Sequence, residues 1–333
     1  MKKILLVIIV ILISSAVFTS IKKEESRPQV AQEKSHKVCA REFKPVMGLG
    51  SYYLGEFFDA HFHMPPTFEK TKDGYDNPTL NKDIAFEEIL CLFDKEKVAG
   101  AIMFFEPDEK DLDGSLKSLK ELSSLSKYYE FKWFLSPENL SPETIKTILD
   151  ENKGLFSGIG EIAFHGNNRT PDDAANLEIY KIASTNNLVV MIHPGLNQRL
   201  GVEKAVKDNP SVKFLLHGYE IEPEIPRLLD KYQNLYYSLD SVNLFRLSPK
   251  NQFESYLRNN FQSILSKKIL KWKSIINRHP TRLLWATDRY VDWQFDEELH
   301  ILTEEFFRAF VGKMNPETQE NFAFKNAQAI FNP

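Results

Sequence analysis

From residue 56 onward, short apolar runs of strand length alternate with segments whose apolar residues recur at helical spacing. The runs are EFFDAH (56–61), VAGAIMFF (98–105), FKWFLS (131–136), FSGIGEIAF (156–164), LVVMIH (188–193), VKFLLH (212–217), NLYYSLD (234–240) and RLLWATD (282–288). Several are apolar without alternation, the pattern of parallel strands covered on both faces. Between them, SPETIKTILDENKG offers a Ser141 cap, Pro142 in the first turn, an early Glu143 and a closing Gly154. LNKDIAFEEILCLFDKEK, PDDAANLEIYKIASTNN and EPEIPRLLDKYQ carry apolar residues at helical spacing. The connection from 241 to 281 holds a lysine-rich amphipathic segment, FQSILSKKILKWKSII, and two further helices are expected near 296–312 and 316–331. Eight strands with intervening helices in about 280 residues fit a (β/α)8 TIM barrel in size and order. A doubly wound open sheet is the alternative.

The first residues follow a different pattern. MKKILLVIIVILISSAVFTSIKK has a basic start and then a nearly unbroken apolar run from Ile4 to Ile21. No polar positions mark a solvent face, so residues 1–21 read as a signal peptide or an uncleaved N-terminal membrane anchor rather than a core helix. Ser14 and Ala16 occupy the small positions of a weak cleavage site. Either reading predicts a protein exported to, or anchored at, the cell envelope, with its body outside the cytoplasm. Residues 22–45 are charged and poor in large apolar groups, and are expected to form a tether with little structure. The barrel is expected to occupy 46–333. Cys39 falls in the tether and Cys91 in an expected helix; their positions argue for no bond, and two inert thiols are expected.

Charge narrows the partners. The chain carries −4 overall, the first 21 residues +2 and the tether +3, which leaves the body at −9. That balance weighs against nucleic acid, whose phosphates call for a basic face. A small-molecule substrate is expected instead.

A (β/α)8 barrel places its chemistry at the C-terminal ends of its strands. The first run ends in His61, with His63 beyond it, and residues two apart on a strand share a face. Glu161 lies within GIGEIAF, His193 ends VVMIH, His217 ends FLLH and Asp288 ends LLWATD. A carboxylate buried in such apolar surroundings is costly unless paired or metal-bound. Each histidine taken singly is an ordinary core or turn residue. Six ligand-type side chains at five same-side strand ends make a metal site. Imidazoles with carboxylates suit Zn2+, with Mn2+, Fe2+ or Ni2+ as alternatives, and no thiolate is placed to compete. On the same rim, His165, Asn167, Arg169, Tyr219, Glu220 and Arg289 are weaker candidates for meeting a substrate, with a solvated loop as the alternative. His36, His279 and His300 read as structural or solvated.

This set of strand ends resembles the amidohydrolase superfamily over roughly residues 56–333. It is most similar to the amidohydrolase-related (amidohydrolase 2) branch, with its GIGE strand, its two apolar strands ending in histidine and a terminal NA-x-x-x-F helix, here KNAQAIF (325–331). The GEI of the fourth strand also resembles TatD-type deoxyribonucleases, which use Glu there. Many superfamily members carry a carbamylated lysine on that strand, and this chain has none. For two cations, the resemblance implies His61, His63 and Asp288 on one, His193 and His217 on the other, and Glu161 bridging. For one cation, it implies His61, His63, His193 and Asp288 as ligands, with His217 polarising the substrate. The implied activity is hydrolysis of an amide, ester or lactone by a metal-activated water, with Asp288 as general base. Three other readings stay open: a TatD-like phosphodiesterase, a metal-dependent decarboxylase of the same branch, which commonly uses one ion, and a barrel kept as a binding module. The loops that would encode the substrate, 62–79 and 241–281, carry no readable pattern.

Overall fold

Eight parallel strands follow one another around a single sheet in chain order. They are β1 (Phe57–His63), β2 (Val98–Phe105), β3 (Glu130–Leu135), β4 (Phe156–Ala163), β5 (Val189–His193), β6 (Lys213–Leu216), β7 (Leu235–Leu239) and β8 (Leu283–Trp285). The computed structural model describes residues 39–332 apart from 49, 64–85, 109, 126–127, 139, 165–168, 245–249 and 291. The expected signal or anchor (1–21), most of the tether and His36 lie outside these residues. Among the described residues, no helix is long and apolar enough to cross a membrane.

Helices connect the strands: α1 (Phe86–Glu96), α2 (Leu112–Leu125), α3 (Pro142–Glu151), α4 (Ala174–Thr185), α5 (Arg199–Asp208), α6 (Ile225–Lys231), the short α7 (Ser241–Leu244) and α8 (Lys250–Arg278). The capping signals act as expected at α3, where Ser141 Oγ accepts from the Thr144 amide at 3.1 Å. The lysine-rich segment is the second half of the 29-residue α8. After β8 come α9 (Glu297–Gly312), α10 (Pro316–Glu320), a π-helical turn (Asn321–Lys325) and α11 (Asn326–Ala329).

The open-sheet alternative fails at the seam between the first and last strands. The Asp288 amide donates to His61 O at 2.8 Å, the His63 amide donates to Arg289 O at 3.3 Å, and Phe62 pairs with Arg289. Buried Asp59 adds a side-chain clasp, accepting from the Thr287 amide at 2.9 Å, the His61 amide at 3.1 Å and the Thr287 hydroxyl. The result is a nearly closed eight-stranded barrel.

Two apolar layers explain the unbroken runs. Phe57, Phe62, Met103, Ile159, Ile162, Val190, Phe214 and Trp285 face the helices. Phe58, Ala60, Ile102, Phe104, Phe134, Met191, Leu215 and Leu284 fill the barrel's interior. The KNAQAIF segment packs Ala327, Ile330 and Phe331 into that interior layer. Asn326 fixes it there by donating to Leu283 O at 2.7 Å and Pro280 O at 2.9 Å. With the start of β8 closed by this segment, the opposite mouth, at the strands' C-terminal ends, holds the six expected ligands.

The structure corrects the expectation for the cysteines. Cys39 and Cys91 form a disulfide with Cα atoms 5.1 Å apart, tying the chain before β1 to α1. The sequence could not pair them because the approach depends on how residues 39–55 run over the helices. Arg41 pairs with Glu297 and Glu304 at 3.0 and 2.9 Å. The Glu305 carboxylate accepts from the amides of Val46, Met47 and Gly48 and from the Tyr52 hydroxyl. The described end of the tether, though without helix or strand, is therefore fastened to α1 and α9.

Candidate metal centre

Two β-bulges aim the key side chains. Along β1, Asp59 pairs with Ala101 but Phe62 pairs with Met103, so three steps on one strand match two on the other. Along β4, Ile159 pairs with Val190 and Ile162 with Ile192, the same slip. An extra residue lets two successive side chains share a face. Ala60 and His61 thus both point inward on β1, and on β4 the slip between Ile159 and Ile162 turns Glu161 inward. Gly160 has φ +142°, and a Cβ there would lie 2.8 Å from Met191 O. No other residue type fits that bend, which also contains the cis Gly160–Glu161 peptide. The plain period of two carries His193 at the end of β5 and His217 just after β6 to the mouth, while Asp288, three residues past β8 at φ +49°, is placed there by its amide bond to His61 O.

Glu161 stands at the centre of two donor sets. Its Oε2 lies 3.5 Å from His61 Nε2 and 3.4 Å from His63 Nε2. Asp288 Oδ1 lies 3.3 Å from each of the same two nitrogens. Glu161 Oε1 lies 2.8 Å from His193 Nδ1 and 2.6 Å from His217 Nε2. All six expected ligands converge. His61, His63 and Glu161, and separately Glu161, His193 and His217, offer ligand atoms within 4.8 Å of one another.

The first set fits a divalent cation in detail. Ligand atoms at about 2.0–2.2 Å around a tetrahedral zinc stand roughly 3.3–3.6 Å apart. Four of its separations are 3.3–3.5 Å, and a fifth, His61 Nε2 to His63 Nε2, is shorter at 2.9 Å. The second set offers three ligand atoms, with Glu161 Oε1 at hydrogen-bonding distance from His193 Nδ1 (2.8 Å) and His217 Nε2 (2.6 Å), closer than ligands stand around a bound cation. The donor chemistry suits a divalent metal and does not single out one.

Without a cation, the carboxylates and imidazoles of the cluster hold one another's charges. Burial pushes the Glu161 carboxyl up, but His217, His193 and His61 outweigh it and hold the group well below its ordinary range. Asp288 is likewise held down against burial by His61, His63 and His217. Burial also opposes charge on His217, yet Glu161 and Asp240 raise its pKa well above the usual value. His63 and His193 are raised against burial by their carboxylate neighbours, while burial lowers His61. The protein's own charges thus favour two carboxylate anions facing positive partners.

Three acidic residues of the site escaped the sequence reading of ligands. Asp240, at the end of β7, places Oδ2 3.3 Å from His217 Nδ1. The strand-end rule that found the others applied to NLYYSLD as well. Glu220, noted only as a rim residue, reaches His193 Nε2 at 3.2 Å. Asp59 supports His61 from below, and burial lifts its carboxyl to about 7 against the hydrogen bonds from Thr287.

The rim candidates fare differently. Arg289 is 3% exposed, and its guanidinium grips Glu96 on α1, with NH1 to Oε2 at 2.9 Å, so it faces the helices and not the mouth. That corrects its expected contact with substrate. Arg169 donates to Asn176 Oδ1 at 2.8 Å and anchors the start of α4. Tyr219 is 56% exposed beside Glu220, whose charge raises the phenol's pKa. His165 and Asn167 lie outside the described residues. His279 and His300 are buried away from the site, beside Asp230 and Glu96 respectively, as expected of structural histidines.

No protein-family model matches the chain, and no curated protein sequence does. Solved structures share its fold. An amidohydrolase from Burkholderia multivorans with bound zinc aligns with TM-score 0.57 at 12% identity, covering 83% of this chain and 99% of that one. A putative 2-pyrone-4,6-dicarboxylic acid hydrolase from Pseudomonas putida aligns with TM-score 0.55 at 12% identity, covering 83% and 97%. A dihydroxybenzoic acid decarboxylase from Polaromonas with bound manganese aligns with TM-score 0.51 at 13% identity, covering 84% and 97%. The (β/α)8 barrel expected from the alternating strands and helices is the fold these structures share with the chain.

Proposed function

We propose that this chain is a metal-dependent hydrolase of the amidohydrolase superfamily, acting on an amide, ester or lactone of a small molecule. One observation carries the reading: the two oxygens of Glu161 each face a separate pair of histidines, with Asp288 completing the first set. His61, His63 and Asp288 would hold one divalent cation, His193 and His217 a second, and Glu161 both. Zinc is the proposed metal, and manganese the alternative; the neighbours with those ions support either. A bound cation at such a site polarises the substrate's oxygen and acidifies a water enough to ionise near neutral pH.

The chain's own residues complete the chemistry. Asp288, held as an anion by His61 and His63, is placed to take the attacking water's proton and return it to the leaving group. His217 is held between Glu161 and Asp240, which supports a ligand's role over a free polarising one. Decarboxylation is the second reading, favoured by the decarboxylase among the structures of this fold. The two-sided Glu161 supports two cations and hence hydrolysis. Metal-loaded protein tested on amide, ester, lactone, phosphodiester and hydroxybenzoate substrates decides between them. Turnover of a hydroxybenzoate with none of the hydrolytic substrates would overturn the proposal.

We also infer export. The apolar run at 4–21 supports it, as does the Cys39–Cys91 disulfide, because such bonds persist in oxidising compartments. Retention of the run as an anchor is tested by the partition of the full chain between membrane and soluble fractions of the envelope.

A further inference from the structure

His193 lies between two carboxylates. Its Nδ1 is 2.8 Å from Glu161 Oε1 and its Nε2 is 3.2 Å from Glu220 Oε2. A neutral imidazole has one N–H and one lone pair, so whichever nitrogen donates decides which can bind a cation. A carboxylate at Nε2 accepts the N–H there and leaves the Nδ1 lone pair facing Glu161. His217 is held in the opposite sense, with Asp240 Oδ2 at 3.3 Å from Nδ1 and Glu161 Oε1 at 2.6 Å from Nε2. The two rings thus present different nitrogens to the same oxygen, each backed by its own carboxylate.

The backbone is shaped for this contact. Gly218, between His217 and the Tyr219–Glu220 pair, has φ +93°. A Cβ there would lie 2.8 Å from Glu220 Oε2 and 2.8 Å from His193 Nε2, so a side chain would occupy the contact itself. Glycine at 218 lets the chain fold back and lay Glu220 on the histidine of the neighbouring strand. Neither His61 Nδ1 nor His217 Nδ1 makes a full hydrogen bond among the described residues, and Asp240 stands within ion-pair reach of His217 Nδ1 at 3.3 Å.

We propose that Glu220 is a positioning residue specific to the second cation site, fixing the tautomer and orientation of His193 without touching the cation or the first site. This inference rests on the two-cation reading above. Carboxylates behind a ligating histidine commonly contribute about 10–100-fold to metal affinity. The full chain, stripped by chelator, is titrated with Zn2+ by calorimetry as wild type, Glu220→Gln and Glu220→Ala, with the thermal midpoint of each stripped protein measured alongside. The expected result is two sites in wild type, a second site weakened about 10–100-fold in Glu220→Ala, a smaller loss in Glu220→Gln, which keeps an acceptor oxygen, and an unchanged first site. The midpoints of the stripped proteins should agree. Two sites of wild-type affinity in Glu220→Ala overturn the role of Glu220 and leave the two-cation reading intact. Equal weakening of both sites, or a lowered midpoint with both sites weakened, overturns its specificity. A single site in wild type overturns the two-cation reading itself.

Discussion

Replacing Cys39 and Cys91 by serine opens a covalent loop spanning 52 residues. In the chain-entropy account, closing a loop of that length removes about 14 cal/mol/K from the unfolded ensemble, or about 4 kcal/mol at 25 °C. The folded state keeps its other fastenings, the Glu305 nest of amides and the Arg41 pairs, so the loss falls mainly on the unfolded side. The Arg41–Glu297 contact is partly solvated and offsets little. For a chain of this size, about 4 kcal/mol corresponds to a melting-point drop of roughly 8 °C. Urea unfolding of the Cys39→Ser/Cys91→Ser variant against the parent, each with and without reductant, measures it. The parent should lose stability on reduction and the variant should not respond. Cation content and turnover should be unchanged, because the bond lies on α1, outside the barrel wall. A variant as stable as the parent, or a parent with two reactive thiols when unfolded without reductant, would refute the reasoning.

Asp288→Asn keeps the shape of the side chain but removes its charge; turnover should fall by about 10²–10⁴, with a smaller loss of cation content by elemental analysis because the histidines remain. Glu96→Gln leaves the buried Arg289 guanidinium without its anion and should cost about 3–5 kcal/mol in denaturant unfolding; an unchanged midpoint would mean the pair is not buried as described. Stripped and loaded protein should diverge with pH. In the stripped protein the raised pKa values of His63, His193 and His217 give stability that is complete below the ordinary histidine value and lost as pH rises through the raised ones. The lowered Glu161 and Asp288 give stability that is present above the ordinary carboxylate range and lost as pH falls through their depressed values. Cations compete with those histidine protons, so apparent affinity should rise with pH, and the gap in melting temperature between loaded and stripped protein should widen from pH 5 to 8; a constant gap contradicts it.

The strands were legible because a barrel strand buried on both faces writes a continuous apolar run, and all eight runs became strands within a few residues of their expected limits. The ligands were legible because His61, His193, His217 and Asp288 are polar residues that end such runs, His63 follows one two residues on, and Glu161 is a carboxylate set inside one. What the sequence could not convey is face. Counting by twos from Phe57, which packs against the helices, puts His61 and His63 on the outside; the bulge after Asp59 turns them in. The same counting misplaces Glu161 relative to Ile159. Arg289 shows the converse error: adjacency to Asp288 suggested the mouth, but the chain turns at Asp288, whose φ is +49°, and the Arg289 guanidinium meets Glu96 on α1. Pairings across long separations, Cys39 with Cys91 and Asp59 with Thr287, leave no local trace at all.

In the proposed site, Glu161 joins two cations held by the six strand-end residues. A crystal of the zinc-loaded protein, with anomalous scattering recorded at the zinc edge, tests it most directly. Two peaks about 3.5–4 Å apart are expected, one against His61, His63 and Asp288, the other against His193 and His217, with one Glu161 oxygen turned toward each. A single peak held by His61, His63, His193 and Asp288, with Glu161 directed away, would contradict it.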